Sequence, residues 1–296
     1  MVYRALSKRI FILTIVSVLV AQSSGYSQQA NLDTVSSALS LRKNIVAYTI
    51  TGFSAFTVFV EYQWWWKGQG HKFSVRSTNL VDSHSRGVDK AGHFYTAYFI
   101  YSTVNDLLRW SGADENKRFW LSIGVPSLHA VIVELGDGFS RYYFDPNDLA
   151  ANFLGIGYGF LQSKYSFLEN FVFKFSYYPS GWTHLDSQWE LGADYDGHIY
   201  WLSVNVHNLL PGTMSDYWPK YLNLAVGYGA KNISRLATGE IRRSLSIGLD
   251  YNLNAFPPFG ETWNLMKHIL DKFKLPAPGL RVYEGGETEA KVVIVN

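Results

Sequence analysis

Apolar residues along this chain first follow a helical spacing and then, after about Phe171, alternate by twos, so the polypeptide reads as helices followed by strands. Asn44 to Val60 is an apolar stretch of 17 residues without a charge, ending in Glu61, Tyr62, Gln63 and the run Trp64, Trp65, Trp66. Its length suits either a membrane segment or a central core helix, and the tryptophans suit an interfacial belt. Lys67 to Arg86 is polar and rich in Gly and Ser, which predicts a loop. Three further helices are expected over Lys90 to Trp110, about Glu115 to Leu135, and Pro146 to about Tyr165. Gly155, Gly157 and Gly159 in the last of these would let a neighbouring backbone come close.

In the second part Leu245, Ile247, Leu249, Tyr251 and Leu253 alternate with Ser246, Gly248, Asp250, Asn252 and Asn254. Leu222, Leu224, Val226 and Tyr228 alternate likewise with Asn223, Ala225, Gly227 and Gly229. Each strand thus has one apolar and one small or polar face. Asp196-Gly197 is a hairpin-turn signal, further strands are expected near Phe171 to Tyr178, Leu280 to Glu284 and Lys291 to Val295, and a short helix over Glu261 to Lys274. The expected fold is α+β: an apolar bundle of about four helices, then an antiparallel sheet or small incomplete barrel. A closed membrane barrel is the alternative, although six or seven strands fall short of the eight of the smallest bacterial barrels. The corresponding division is 1–29, 30–168 and 169–296.

Composition sharpens this picture. Only 17% of the 296 residues are charged, against roughly 25% in soluble domains, while 17% are aromatic. That bias points to a bilayer or membrane surface as a partner. Lys and Arg outnumber Asp and Glu by 26 to 24, too even a balance for a nucleic-acid binder held by a basic surface. The chain has no Cys, which removes disulfides, thiolate metal sites and lipidated cysteines. Residues 1–29 read as an export signal, because Arg4, Lys8 and Arg9 precede the apolar run Ile10 to Ala21 and a polar, small-residue segment; an uncleaved anchor is the alternative.

Candidate chemistry lies where polar groups interrupt the apolar helices, since such groups are costly unless paired. GVDKAGHF puts Asp89 and His93 four residues apart on one face, with Lys90 beside them. VPSLHAVIVELGDGFS carries His129 and Glu134, and FDPNDLAANFLG puts Asp148 and Asn152 on one face. Antiparallel neighbours would gather His93, Glu134, Asp148 and Asn152 at one end of the bundle. Bland roles compete: Asp145 before Pro146 reads as an N-cap, Asp148 as the acid of a capping box, Asp89 as a cap of its own helix, His129 as a core histidine. No GxSxG, Walker, HExxH or strand-borne GxGxxG pattern occurs, so no cofactor is expected.

The segments DKAGHF, VELGDGFS and FDPNDLAANFLG, in this order and spacing, resemble the DUF2279 family of envelope proteins, which includes YfiM-type lipoproteins. The likeness covers about residues 80 to 165, and later segments such as WPKYLNLAVGYGAKN resemble the longer Bacteroidetes-type members. The pattern is also distantly similar to VanZ-like membrane proteins. The resemblance implies a cell-envelope location, more at the outer membrane or its periplasmic face than at the inner membrane, and marks Asp89, Lys90, His93, Glu134, Asp137, Asp148 and Asn152 as signature positions. The leading expectation is an envelope membrane protein with a structural or binding role and an envelope partner. The alternatives are an enzyme acting on a lipid or cell-wall substrate, with His93 and Glu134 as its acid-base pair and the other five positions binding, or a metal-dependent version of it.

Overall fold

The computed structural model describes residues 32–79, 83–180, 192, 194–233, 237 and 239–292. Two compact units divide the chain, Met1–Leu41 and Arg42–Asn296. The first is described only where a helix begins, and the export-signal expectation for residues 1–29 lies outside the described residues.

Helix α1 spans Leu32–Glu61 and ends in a π-turn over Tyr62–Trp66. Helices α2 (Val88–Trp110), α3 (Glu115–Gly138) and α4 (Pro146–Lys164) follow, close to their expected limits. Local chemistry explains each start. Gly87, at φ 89°, supplies the left-handed residue that turns the chain into α2. Asp89 is therefore not the cap it resembles; it sits in the first turn, with its carboxylate available for tertiary contacts. Asp114 caps α3 by accepting from the Lys117 N–H. Asp145 caps α4 by accepting from the Asn147 N–H, and Pro146 takes the first helical position, where its missing N–H costs nothing.

Side-chain pairings run in step along α2 and α4: Lys90 meets Asp148, Tyr98 meets Gln162, and Tyr101 meets Ser163. These two helices are therefore parallel, as follows when α3 returns the chain antiparallel to each, the arrangement expected to gather the polar residues at one end. Gly155 permits their close approach, since a Cβ there would lie 2.1 Å from the Phe94 carbonyl oxygen. Val46 of α1 packs with Ile100, Val104 and Leu108 of α2, and Ala97 and Tyr101 pack with Ile156 of α4.

Six strands make one antiparallel meander in the order β1 (Phe171–Tyr177), β2 (His198–Val204), β3 (Leu222–Lys231), β4 (Arg242–Tyr251), β5 (Gly279–Tyr283) and β6 (Thr288–Lys291). A short helix α5 (Val206–Leu209) lies between β2 and β3, and α6 (Glu261–Leu270) between β4 and β5. Two sequence expectations change. Asp196-Gly197 belongs to a 3-10 turn entering β2 rather than to a tight hairpin, because β2 pairs with β1 across a long connection. β4 ends at Tyr251, because Asn252 and Leu253 turn away, with the Leu253 N–H donated to Asp271. β6 ends at Lys291, and most of the strand expected over Lys291 to Val295 lies outside the described residues.

The two faces of the sheet are inverted relative to a soluble protein. Lys174, Ser203, Asn223, Ser246, Asp250 and Arg281 are buried on one face, while Val226, Leu245, Ile247, Leu280 and Val282 on the other are exposed. Lys174 is satisfied by Asp250 at 2.8 Å, Asp271 at 2.9 Å and the Tyr251 carbonyl. The segment after α6 carries Asp271 and also pairs with the free edge of β1, where Phe175 exchanges backbone hydrogen bonds with Lys272 and Lys274. Helix α2 covers the apolar face at β1 and β2, through Phe94 on Phe173 and Tyr95 on Phe175 and Tyr200, and at the end of β3, where Val88 packs with Ala230.

Candidate functional site

The start of α2, the end of α3 and the start of α4 converge on a cluster of ionisable side chains. Lys90, 5% exposed, lies 2.6 Å from Asp148 and 2.9 Å from Asp145, and also donates to Thr78. Burial alone would push the lysine's pKa down, but the hydrogen bonds and charge of Asp148 and Asp145 outweigh it and hold it above its ordinary value. Asp145 is therefore both helix cap and counter-ion. Although burial opposes ionisation, its bonds from Thr78 and Lys90 keep its carboxyl below the usual range.

His93 lies one turn further along α2. Its Nδ1 is 3.1 Å from the Asn152 amide and 3.7 Å from Glu134, whereas its Nε2 faces Asp89 at 3.7 Å and Asp148 at 3.9 Å, too far for hydrogen bonds. Burial disfavours the imidazolium, yet Asp89, Asp148 and Glu134 together raise the His93 pKa above its ordinary value. Asp148 is moved the other way from a normal carboxylate: burial lifts it to about 6, against the opposing pull of His93 and Lys90. Glu134 is 1% exposed; one oxygen accepts from the Asp145 N–H and the other has no hydrogen-bond partner. The N-termini of the parallel helices α2 and α4 both point at this acidic group, where their dipoles favour negative charge.

All seven positions singled out in the sequence lie in or beside the cluster. Asp137 is the most peripheral, accepting a 2.7 Å hydrogen bond from the indole of Trp66, so one of the three consecutive tryptophans is committed to the site. Sequence reasoning missed Tyr195, whose hydroxyl donates to Asp89 at 2.6 Å, and the counter-ion role of Asp145. The FDPND run carried a signal for Asp145; nothing marked Tyr195, which reaches the cluster from the segment before β2. His129 stands apart, 2.9 Å from Glu61 in a link between α3 and α1.

Asp89, His93 and Asp148 bring donor atoms within 4.8 Å of one another, a spacing a cation could use. The Asp148 oxygen nearest His93 is, however, the one that Lys90 already holds at 2.6 Å. The lysine ammonium supplies the positive charge a metal would bring.

Residues 80–164 match the model of DUF2279, a family described as predicted periplasmic lipoproteins. The matched DUF2279 segment contains α2, α3 and α4, and with them all seven positions. The description agrees with a cell-envelope protein at the periplasmic or outer-membrane face. No curated protein and no solved structure matches the chain.

Proposed function

We propose that this protein is seated in the envelope membrane through side chains and serves there in a structural or binding role, at the outer membrane. The observation that carries the reading is the inverted sheet: a soluble protein would not bury Lys174, Asp250 and Arg281 while leaving Leu245, Ile247, Leu280 and Val282 open. Two helical segments, Ser37–Trp66 and Glu115–Gly138, are long and apolar enough to cross a membrane and are little buried by the protein itself. Tyr48, Phe53 and Phe59 on the first, and Trp120, Leu128 and Leu135 on the second, extend the apolar exterior. None of the 296 residues is a cysteine, so this contact does not depend on a lipidated thiol.

Flotation of the purified protein with phosphatidylethanolamine–phosphatidylglycerol vesicles tests the reading. A lysine facing hydrocarbon costs about 2–4 kcal/mol at mid-depth, so Ile247→Lys with Val282→Lys should leave the protein in the dense fraction while its circular dichroism in detergent is unchanged. Flotation equal to the parent would sink the proposal.

A second reading is favoured by one detail. Among the described residues His93 Nε2 has no hydrogen-bond partner and the side chain is 19% exposed, so the imidazole is placed to exchange a proton with a bound molecule, with Asp89 and Asp148 steadying its charge. His93→Gln keeps an amide to meet Asn152 but removes proton transfer. Loss of cellular function with intact folding would favour this reading, and full function in the variant would dismiss it.

A further inference from the structure

A second polar site lies at the other end of α2, about 18 Å along the helix from His93 by the 1.5 Å rise per residue. Here the C-terminal turns of α2 and α4 face the ends of β2, β3 and β4 across a cleft of about 610 Å³. That volume is within the roughly 300–1,000 Å³ of small-ligand sites. The lining is unusual in its side-chain amides: Asn105, Asn205, Asn208, Asn223, Asn252 and Asn254 all border it. The charges there are mixed, with Asp106, Glu169 and Asp271 against Arg109, Lys220 and Lys272, so no net field selects an ion of either sign.

Two of these amides keep unused hydrogen-bonding capacity, Asn105 at the cleft surface and Asn223 on an oxygen closed off from solvent. Asn105 is 6% exposed and forms no hydrogen bond with any described residue. Asn223 is 3% exposed; its Nδ2 donates to Ser203, but its Oδ1 accepts nothing. Leaving buried polar atoms unpaired costs free energy unless something else in the cleft pairs with them. An amide offers both donors and acceptors, and a wall of amides with balanced charges matches a ligand whose surface is hydroxyl groups, each both donor and acceptor.

We propose that this cleft binds a short neutral saccharide. The hydroxyls of the sugar complete the hydrogen bonds of Asn105, and Asn208, exposed on α5, contributes at the rim.

The test uses the full chain in detergent and isothermal titration with a panel of neutral saccharides that includes maltotriose and diacetylchitobiose, with inorganic phosphate as the anionic control. At least one saccharide should bind with a Kd of about 1 mM or tighter, and phosphate should bind far more weakly. Asn105→Leu should weaken saccharide binding by about tenfold, the effect of one hydrogen bond lost in a desolvated site. His93→Gln should leave it unchanged. Should Asn105→Leu fail to fold, Asn208→Ala decides the matter, because this rim position is exposed and should lose two- to threefold in affinity, an order-of-magnitude figure for a solvent-facing contact. Absence of binding across the panel, phosphate binding as tightly as any sugar, or affinity unchanged in the folded variants would each overturn the proposal.

Discussion

The protein buries a lysine among aspartates twice, and the two sites differ in what they leave unfinished. Lys174 on the sheet is 1% exposed and is closed in by Asp250, Asp271 and the Tyr251 carbonyl, and those acids are themselves held by Ser203, Leu253 N–H and Asn254. Lys90 on α2 has the same two-aspartate arrangement, and each site keeps a buried carboxylate oxygen without a hydrogen-bond partner among the described residues, Asp250 Oδ1 in one and Glu134 Oε1 in the other, but only Lys90 has beside it a histidine whose Nε2 bonds to none of the described residues. A network whose charges are paired among its own members holds a fold together. A network with a spare imidazole at its edge has a group left over for something outside it.

The largest effect expected from this contrast is at the closed site. Lys174→Met leaves Asp250 and Asp271 buried without a counter-charge and should cost about 3–5 kcal/mol of stability, the range for breaking one side of a buried ion pair. Lys90→Met should cost less, measured in the same detergent by chemical unfolding. Asp148 already sits near pKa 6 and takes up a proton readily, so the Lys90 variant should recover most of its loss at pH 5 whereas the Lys174 variant should not. Equal recovery in both would erase the distinction.

A smaller effect is expected from pH in the parent protein. The folded pKa of Asp148 is raised from 3.8 to about 6, so its stabilising contribution is complete below pH 3.8 and is lost as pH rises through 6. His93 is also raised, so its contribution is complete below 6.5 and disappears above that as the pH passes its folded pKa. Asp145, lowered, opposes them only at acid pH: its contribution is present above 3.8 and is lost as pH falls through its folded value. Stability should therefore decline from about pH 5 to 8, and His93→Gln should flatten the part above pH 6.5. An unchanged slope in that variant would mean the imidazole does not sense the carboxylates around it.

The smallest effect separates two adjacent residues of β4. Ser246, on the small and polar face, looks in the sequence like the side that tolerates charge; Arg281 donates to its hydroxyl and it is 2% exposed, so the tolerance runs the other way. Ser246→Lys should lower the melting midpoint in detergent, while Ile247→Lys should leave it within a degree or so of the parent, as surface changes away from packed features usually do.

That reversal shows where sequence reading stops. Alternation over Leu222 to Tyr228 and Leu245 to Tyr251 located two strands and both faces, but period-two patterning is the same for a sheet turned either way. His93, Glu134, Asp148 and Asn152 were legible as a group because each interrupts an apolar helix and none is cheap to bury alone. Their convergence followed from the antiparallel succession of α2, α3 and α4, whereas their contacts did not: the close approach of α2 and α4 depends on Gly155, and Lys90 joins the group through Asp148. Tyr195 was invisible for a related reason, since it joins the cluster 106 positions after Asp89 and its own neighbourhood shows only a turn.

The tie between Lys174 and Asp271 spans 97 positions. While the chain is being made and exported, β1 emerges with a charged side chain on its inward face and with an unpaired edge; Asp250 supplies one counter-ion, but the second and the pairing of the edge wait for the segment after α6. Pairing that must wait for so distant a partner is slow and leaves strands exposed to other chains. The final quarter of the polypeptide thus sets the timing of the whole sheet, and a chain that stops short of Asp271 should engage periplasmic chaperones or be degraded rather than persist as a smaller version of the same protein.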